Sequence, residues 1–137
     1  MKKIPFFILF LFALFIFNDV SGQRLAKKYT KKIVGTWKIE NISVSSNNGQ
    51  NQTEQSKNLI KELLKDASFV FNENKDCNFS LTEIQKTGKW SVSESGKQLT
   101  IELYGVKSTY DILILKKSVC RLENKIDNEL KIMILYR

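Results

Sequence analysis

The sequence contains no histidine and only two cysteines. Ser-His-Asp and Cys-His nucleophile pairs both need an imidazole base, so neither can form in this chain. Zinc sites that use imidazole ligands are excluded for the same reason. The carboxylates are dispersed along the chain, and it has no glycine-rich loop that would cradle a phosphate. We therefore expect a protein that is not an enzyme and that has neither a metal site nor a cofactor.

The only long apolar run covers residues 4–17, directly after Lys2 and Lys3. A transmembrane helix needs about 20 apolar residues, whereas the core of a signal peptide needs roughly 7 to 15. Small residues precede Gln23, and no cysteine follows the run as it would in a bacterial lipoprotein. The pattern predicts a signal peptide over residues 1–22 and a secreted or periplasmic protein, with no transmembrane segment in the mature chain. An uncleaved N-terminal anchor is the alternative.

The chain carries a net charge of +8, and part of the excess lies just after the predicted cleavage site. The basic residues there are Arg24, Lys27, Lys28, Lys31 and Lys32. They are either solvated lysines that aid solubility or contacts to an anionic membrane surface or acidic glycan. No aromatic-basic RNA motif is present, so we expect no nucleic-acid partner. Residues 23–137 are long enough for one domain.

The first predicted strand begins near residue 33 and changes its inward set from Trp37 and Ile39 to Ile42 and Val44. This change of parity predicts a bulge near Glu40. Residues 53–66 then form the predicted helix, capped by Thr53. The apolar residues of the helix are Leu59, Ile60, Leu63 and Leu64. We expect them to cover apolar surface of the sheet, with docking to a membrane as the second hypothesis.

After the helix the apolar period falls to two, which is typical of strands. Two hairpins and three further segments, at about 109–116, 118–124 and 129–136, bring the strand count to eight. Eight strands in sequential antiparallel order close into an up-and-down barrel without a free edge. The sequence therefore predicts an all-β fold with one helix between strands 1 and 2.

Two Gly-x-Trp motifs, at Gly35-Thr36-Trp37 and Gly88-Lys89-Trp90, resemble those of small lipocalin-like domains of bacterial envelope proteins, as does the segment 90–103. The resemblance implies a lipocalin-like barrel over residues 23–137 that carries a small apolar molecule. In that family the tryptophan closes one end of the barrel beneath a basic side chain from near the last strand. The resemblance thus implies structural roles for Gly35 and Trp37, with Arg137, or otherwise Arg121, over the indole.

Strand alternation places the larger apolar side chains inside the barrel, where they are the candidate ligand contacts. A barrel of eight strands is either filled by its side chains or retains space for one small ligand. The candidates are Trp37, Ile39, Phe69, Phe71, Phe79, Leu81, Trp90, Val92, Leu99, Ile101, Leu103, Tyr110, Ile112, Ile114, Ile132 and Ile134.

Cys77 and Cys120 both fall on predicted inward faces. An exported chain with an even number of cysteines favours a disulfide. The two residues lie on the third and seventh predicted strands, which are not neighbours in an up-and-down barrel. A disulfide and two buried thiols are therefore both open.

Two predicted strands carry apolar residues on both faces. Leu113, Leu115, Met133 and Leu135 alternate with the inward residues, which predicts a cover from the helix or from a second subunit in a homodimer. The leading functional hypothesis is an exported binding protein that holds a small hydrophobic molecule in the barrel. The alternative is a filled barrel that acts as an interaction or inhibitor module for a protein, a glycan or an envelope component.

Overall fold

The computed structural model describes residues 22–46 and 53–137. Eight antiparallel strands follow one another around a closed barrel, and β8 pairs with β1. The predicted eight-stranded up-and-down barrel, with a helix between its first two strands, is confirmed. In chain order the elements are α1 (residues 22–33), β1 (Gly35–Ser46), α2 (Glu54–Leu64), β2 (Ser68–Phe71), β3 (Asp76–Leu81), β4 (Ile84–Val92), β5 (Gln98–Leu103), β6 (Val106–Leu115), β7 (Val119–Ile126) and β8 (Glu129–Tyr136).

The predicted signal peptide, apart from Gly22, lies outside the described residues. The described basic segment that follows is helical through residue 33. Tyr29 and Ile33 lie one turn apart and so share a face of α1. Ile33 is buried in the core, and Tyr29 packs so closely on Gly96 that a Cβ there would lie 2.7 Å from the ring. Tertiary packing therefore extends this helix.

The predicted bulge in β1 is confirmed. Ile39 pairs with Leu135, the next paired residue is Asn41, and Glu40 is the extra residue between them. The extra residue lets Ile39 and Ile42 both contact the core although they are three positions apart. A β-bulge bends the strand and shifts its alternation by one residue, so that apolar residues on both sides of the bulge face the core.

Trp37 closes one end of the barrel. It is almost fully buried, and its indole Nε1 donates a hydrogen bond to the carbonyl oxygen of Ile33 at 2.7 Å. The guanidinium carbon of Arg137 lies 4.1 Å from the centroid of the Trp37 ring, within the range of a cation–π contact. The structure places Arg137, rather than Arg121, over this indole.

Arg137 also binds three segments of the backbone at this end. Its guanidinium donates to the carbonyl oxygens of Lys32 at 2.5 Å, Val34 at 2.9 Å and Lys117 at 2.9 Å. Gly35 has a φ of +127°, and a Cβ there would lie 2.6 Å from Nη1 of Arg137. A glycine is needed at this position both for its backbone conformation and for the space that the guanidinium occupies.

The second Gly-x-Trp motif forms a related arrangement on β4. A Cβ on Gly88 would lie 1.8 Å from the carbonyl oxygen of Glu102 on β5, so only glycine fits. The indole of Trp90 donates to the carbonyl oxygen of Asn72 at 3.0 Å, and the ammonium of Lys75 lies 4.5 Å from its ring centroid. In each motif, another group lies too close to the glycine for a Cβ to fit, and the tryptophan ring two residues later lies beneath a cation and donates a hydrogen bond to a backbone carbonyl.

Aromatic rings fill the half of the barrel next to Trp37. The ring centroids of Phe69 and Phe71 are 5.5 Å apart, and those of Phe71 and Trp90 are 5.4 Å apart in an edge-to-face arrangement. These separations lie within the favourable range for aromatic pairs. This half of the barrel is a packed core.

The predicted inward face of β8 was wrong. Met133 and Leu135 are 4% and 1% exposed and belong to the core, so Ile132 and Ile134 point outward. All four residues are apolar, so the pattern of apolar and polar residues does not show which pair faces the core. Pairing with Ile39 of β1 decides it, because Leu135 lies opposite that inward residue.

The predicted inward position of Ile114 on β6 was also wrong. The pairing of β6 with β7 shifts between Ile112 and Ile114, which marks Leu113 as a bulge. Beyond it the parity reverses, so Leu115 packs on the core while Leu113 and Ile114 are 48% and 37% exposed. The unbroken apolar run through this strand hides the bulge from sequence analysis.

The predicted helix is confirmed as α2, and the Thr53 side chain caps its first turn. Leu64 is buried and Ile60 packs against the core, so α2 covers the sheet beside β1. Leu59 and Leu63 are 63% and 59% exposed, so only half of the predicted apolar face is covered.

Of the two alternatives that the sequence left open, the structure has the second, because Cys77 and Cys120 are free, buried thiols. They lie on β3 and β7, which do not pair with one another. Burial raises the pKa of Cys77, and the charge of Asp76 raises it further. Burial raises the pKa of Cys120 to about 12, although the positive charge of Arg137 opposes the shift.

Replacing Arg137 with alanine removes the cation–π contact and three charged hydrogen bonds. We expect the free energy of unfolding, measured by urea titration, to fall by about 1–3 kcal/mol after allowing for the exposure of this side chain. Arg24→Ala, on an exposed part of α1, is the matched control and should change stability little. Equal stability of the two variants would contradict the role assigned to Arg137.

We expect iodoacetamide to label both thiols slowly in the native protein at neutral pH and rapidly after unfolding, since only the thiolate reacts. Because the folded pKa values are raised, the unfolded chain ionises first as the pH rises. The stability contribution of the neutral thiols is therefore present below the ordinary value of 9.0 and is lost between that pH and about 12. A native mass lower by two hydrogens would instead show a disulfide.

Candidate ligand-binding site

The end of the barrel opposite Arg137 is formed by three tight hairpin turns. They connect β3 to β4, β5 to β6 and β7 to β8. Thr82, Tyr104 and Asp127 adopt left-handed backbone conformations in these turns, with φ of 50°, 50° and 53°. Two-residue turns with positive φ match the twist of paired strands, so they keep this rim short.

A cavity of about 320 Å³ opens at this rim. Its volume is at the lower end of the range of about 300–1,000 Å³ that is usual for ligand pockets. Its lining comes from β2, β4, β5, β6 and the turn between the last two: Phe69, Lys86, Ile101, Leu103, Tyr104, Val106, Ser108 and Tyr110. The lumen is therefore filled near Trp37 and open at the opposite end.

Strand pairing brings the wall of the cavity together. On β5 and β6, Ile101 lies opposite Ser108 and Leu103 lies opposite Val106. Alternate residues of a strand share one face, so Lys86 of β4 points to the same side as the buried Trp90. The cavity thus combines an apolar wall with one inward-facing ammonium group.

The polar side-chain groups of the cavity lining are the amine of Lys86 and the hydroxyls of Tyr104, Ser108 and Tyr110. The ammonium of Lys86 lies 5.1 Å from the ring centroid of Tyr104. In the part of the chain that the structure describes, Lys86 makes no ion pair within 4.0 Å. Burial raises the pKa of Tyr110, and its hydrogen bond with Ser108 partly opposes this shift. The Tyr110 hydroxyl is therefore neutral at physiological pH, which leaves Lys86 as the charged group.

The predicted interior residues fall into three groups. Phe69, Ile101, Leu103 and Tyr110 line the cavity. The packed core contains Trp37, Ile39, Phe71, Trp90 and Leu99, with Phe79, Leu81, Val92 and Ile112 packed against it. Ile114, Ile132 and Ile134 lie on the outer face, as described above.

Four cavity residues were not predicted from the sequence: Lys86, Tyr104, Val106 and Ser108. For three of them, the alternation of inward and outward positions along the strands would have predicted an inward side chain. Counting back from Trp90 in steps of two gives Lys86, and counting back from Tyr110 gives Ser108 and Val106. The search for apolar side chains passed over the lysine and the serine, and it did not extend to the turn that contains Tyr104.

A larger cavity, of about 560 Å³, lies outside the barrel between α2 and the outer faces of β1 and β8. Its lining is mostly polar and includes Glu40, Lys57 and Lys61. The cavity inside the rim is the better candidate because it lies within the barrel and joins a largely apolar wall to a few polar groups.

No helix among the residues that the structure describes has the length and apolar character to cross a bilayer. Residues 22–46 and 53–137 also contain no cluster of three or more histidine, cysteine or acidic side chains able to hold a metal ion.

Two solved structures that align with this chain come from Bacteroides. A DUF4847 family protein from Bacteroides vulgatus aligns with a TM-score of 0.53 at 10% identity, covering 77% of this chain and 94% of its own. A lipocalin-like protein from Bacteroides uniformis aligns with a TM-score of 0.48 at 15% identity, covering 74% of this chain and 96% of its own. At these identities the first likeness shows the fold alone. No curated protein matches the chain.

The model of one protein family, described as the lipocalin-like domain, matches residues 33–119. The match begins just before the first Gly-x-Trp motif, includes the second and extends to the first residue of β7. It spans more than half of the chain, and the closed eight-stranded barrel agrees with it. The chain therefore belongs to the lipocalin-like domain family.

Proposed function

We propose that this protein is an exported carrier that binds one small, mainly apolar molecule in the cavity at the open rim and catalyses no reaction. The observation that carries the proposal is the cavity itself, whose wall is largely apolar and borders space at the open rim that the core does not fill. An apolar ligand that enters it leaves water, and this transfer is the main source of affinity in such sites.

Lys86 narrows the chemistry of the proposed ligand. It is the charged side chain of the cavity lining, and no acidic residue lies beside it there. A carboxylate or other small anionic group at one end of the ligand would pair with this ammonium, while Ser108 and Tyr110 supply hydroxyl partners. We therefore favour an amphipathic anion with an apolar body.

Export is part of the proposal and is supported by the sequence of the N-terminal segment. A basic start, an apolar run of signal-peptide length and small residues before Gln23 together favour cleavage and release into the periplasm or the medium. A carrier of apolar molecules suits an aqueous compartment, in which the free ligand is poorly soluble.

Filling the cavity should abolish binding. Ser108→Phe places a ring inside the wall, whereas the neighbouring Thr109→Phe places the same ring on the exposed outer face of β6. We expect decanoate, titrated calorimetrically into the protein purified from an exporting host, to bind wild type and Thr109→Phe but not Ser108→Phe. Absence of decanoate binding to wild type, or equal binding to both variants, would contradict the assigned site.

Lys86→Gln should weaken the binding of decanoate more than that of 1-decanol, because only the carboxylate needs the positive charge. A charge-assisted hydrogen bond contributes about 1.5–3 kcal/mol, which predicts a loss of roughly 10- to 150-fold for decanoate. Lys107→Gln, an exposed lysine on the same rim paired with Glu102, is the matched control. Equal losses for the acid and the alcohol would remove the case for an anionic ligand and leave an apolar one.

A further inference from the structure

The outer face of β6, β7 and β8 carries apolar side chains around an arginine. Strand pairing places Ile114 of β6 and Ile134 of β8 on either side of Arg121 of β7. Two residues further along β7, on the same face of the sheet, Glu123 pairs with Ile132 of β8. Together with Leu113 of the bulge, these residues are called the outer patch: Leu113, Ile114, Arg121, Glu123, Ile132 and Ile134.

Arg121 has a buried nitrogen without a polar partner among the residues that the structure describes. Its Nε atom is buried and makes no hydrogen bond within the structure as described. Arg121 and Glu123 also form no ion pair within 4.0 Å among residues 22–46 and 53–137. Because Nε has no accessible surface, an acceptor from another molecule would meet the outer nitrogens of the guanidinium, for which the described residues provide no ion-pair partner.

The patch is also unusually apolar for the outside of a barrel. Leu113 and Ile114 are 48% and 37% exposed, although outward residues of a soluble barrel are normally polar. Packing of α2 leaves them uncovered, because the helix contacts β1 and borders only the Ile134 side of the patch. Exposed apolar residues around a desolvated charge are typical of the centre of a protein interface.

From these observations we infer that the outer patch binds a second copy of this chain, forming a twofold-symmetric dimer in which Arg121 of each protomer pairs with Glu123 of the other. The two residues are two positions apart on β7 and so share a face, about 7 Å from one another. A twofold axis that lies between the two sheet faces, parallel to them and perpendicular to β7, brings each guanidinium opposite the other protomer's carboxylate.

A copy of the same chain fits better than an unrelated partner because the patch carries one cation and one anion at matched positions. Symmetry satisfies both charges at once and forms two equivalent ion pairs. The flanking isoleucines then pack between two sheet faces, at the separation of about 10 Å that is usual for sheets. Asp111 of β6 lies opposite Glu123 of β7. Its carboxylate already accepts a hydrogen bond from the Gln98 amide, so it does not compete for Arg121.

Sedimentation velocity over a series of protein concentrations tests the dimer. Wild type should shift from monomer to dimer as the concentration rises, and Arg121→Glu should weaken the dimer on the order of 30-fold or more. The double variant Arg121→Glu/Glu123→Arg reverses both charges and should restore the dimer. Lys107→Glu, which reverses a charge elsewhere on the outer wall, should leave it unchanged.

Leu113→Asp provides a second test that does not depend on Arg121, because an exposed position tolerates a polar residue. The variant should keep the circular dichroism spectrum of wild type and remain monomeric. A wild type that stays monomeric throughout the series would overturn the inference. So would a dimer that survives Leu113→Asp, or a double variant Arg121→Glu/Glu123→Arg that fails to restore association when Arg121→Glu and Glu123→Arg alone have each lost it.

Discussion

The contact between Arg137 and Trp37 holds together the closed end on which the rest of the barrel depends. One side chain stacks on the buried indole and binds the carbonyl groups of Lys32, Val34 and Lys117. These carbonyls belong to the end of α1, the residue that joins α1 to β1, and the turn between β6 and β7. A single guanidinium therefore fixes segments from the beginning, the later turns and the end of the described chain. Its planar fork of donors suits this role better than an ammonium group would.

The sequence was sufficient for the architecture because its patterns were unambiguous in most strands. The bulge in β1 was predictable since polar Glu40 and Asn41 interrupt the inward set of apolar residues. In β8 the register was not predictable, because Ile132 and Ile134 match Met133 and Leu135 in hydrophobicity. Only the pairing with β1, which brings together distant residues, chooses between them. The same uniformity concealed the bulge at Leu113 in β6.

Half of the residues that line the candidate site were predicted, because the sequence analysis looked only for apolar side chains in inward positions. A search for apolar alternation finds Phe69, Ile101, Leu103 and Tyr110, but it passes over a charged residue in an inward position. Lys86 can face inward because it lies near the rim, where its ammonium remains close to water. The barrel therefore divides its interior: large aromatic side chains supply packing at the closed end, and the space for a ligand is at the open end, where the lining is only partly buried.

The pairing of β1 with β8 also determines how the chain folds. Six of the eight strand pairs are hairpins of consecutive elements, so each can form as a local unit, and β1 pairs with β2 across α2. The eighth pair, β1 with β8, brings together residues as far apart in the sequence as Lys38 and Tyr136. Bringing such distant segments together lowers the conformational entropy of the long chain between them before any contact compensates for that loss. Non-local contacts of this kind slow folding. Closure of the barrel is thus the slow step expected in folding, and until it occurs β1 and β8 both present free edges to other chains.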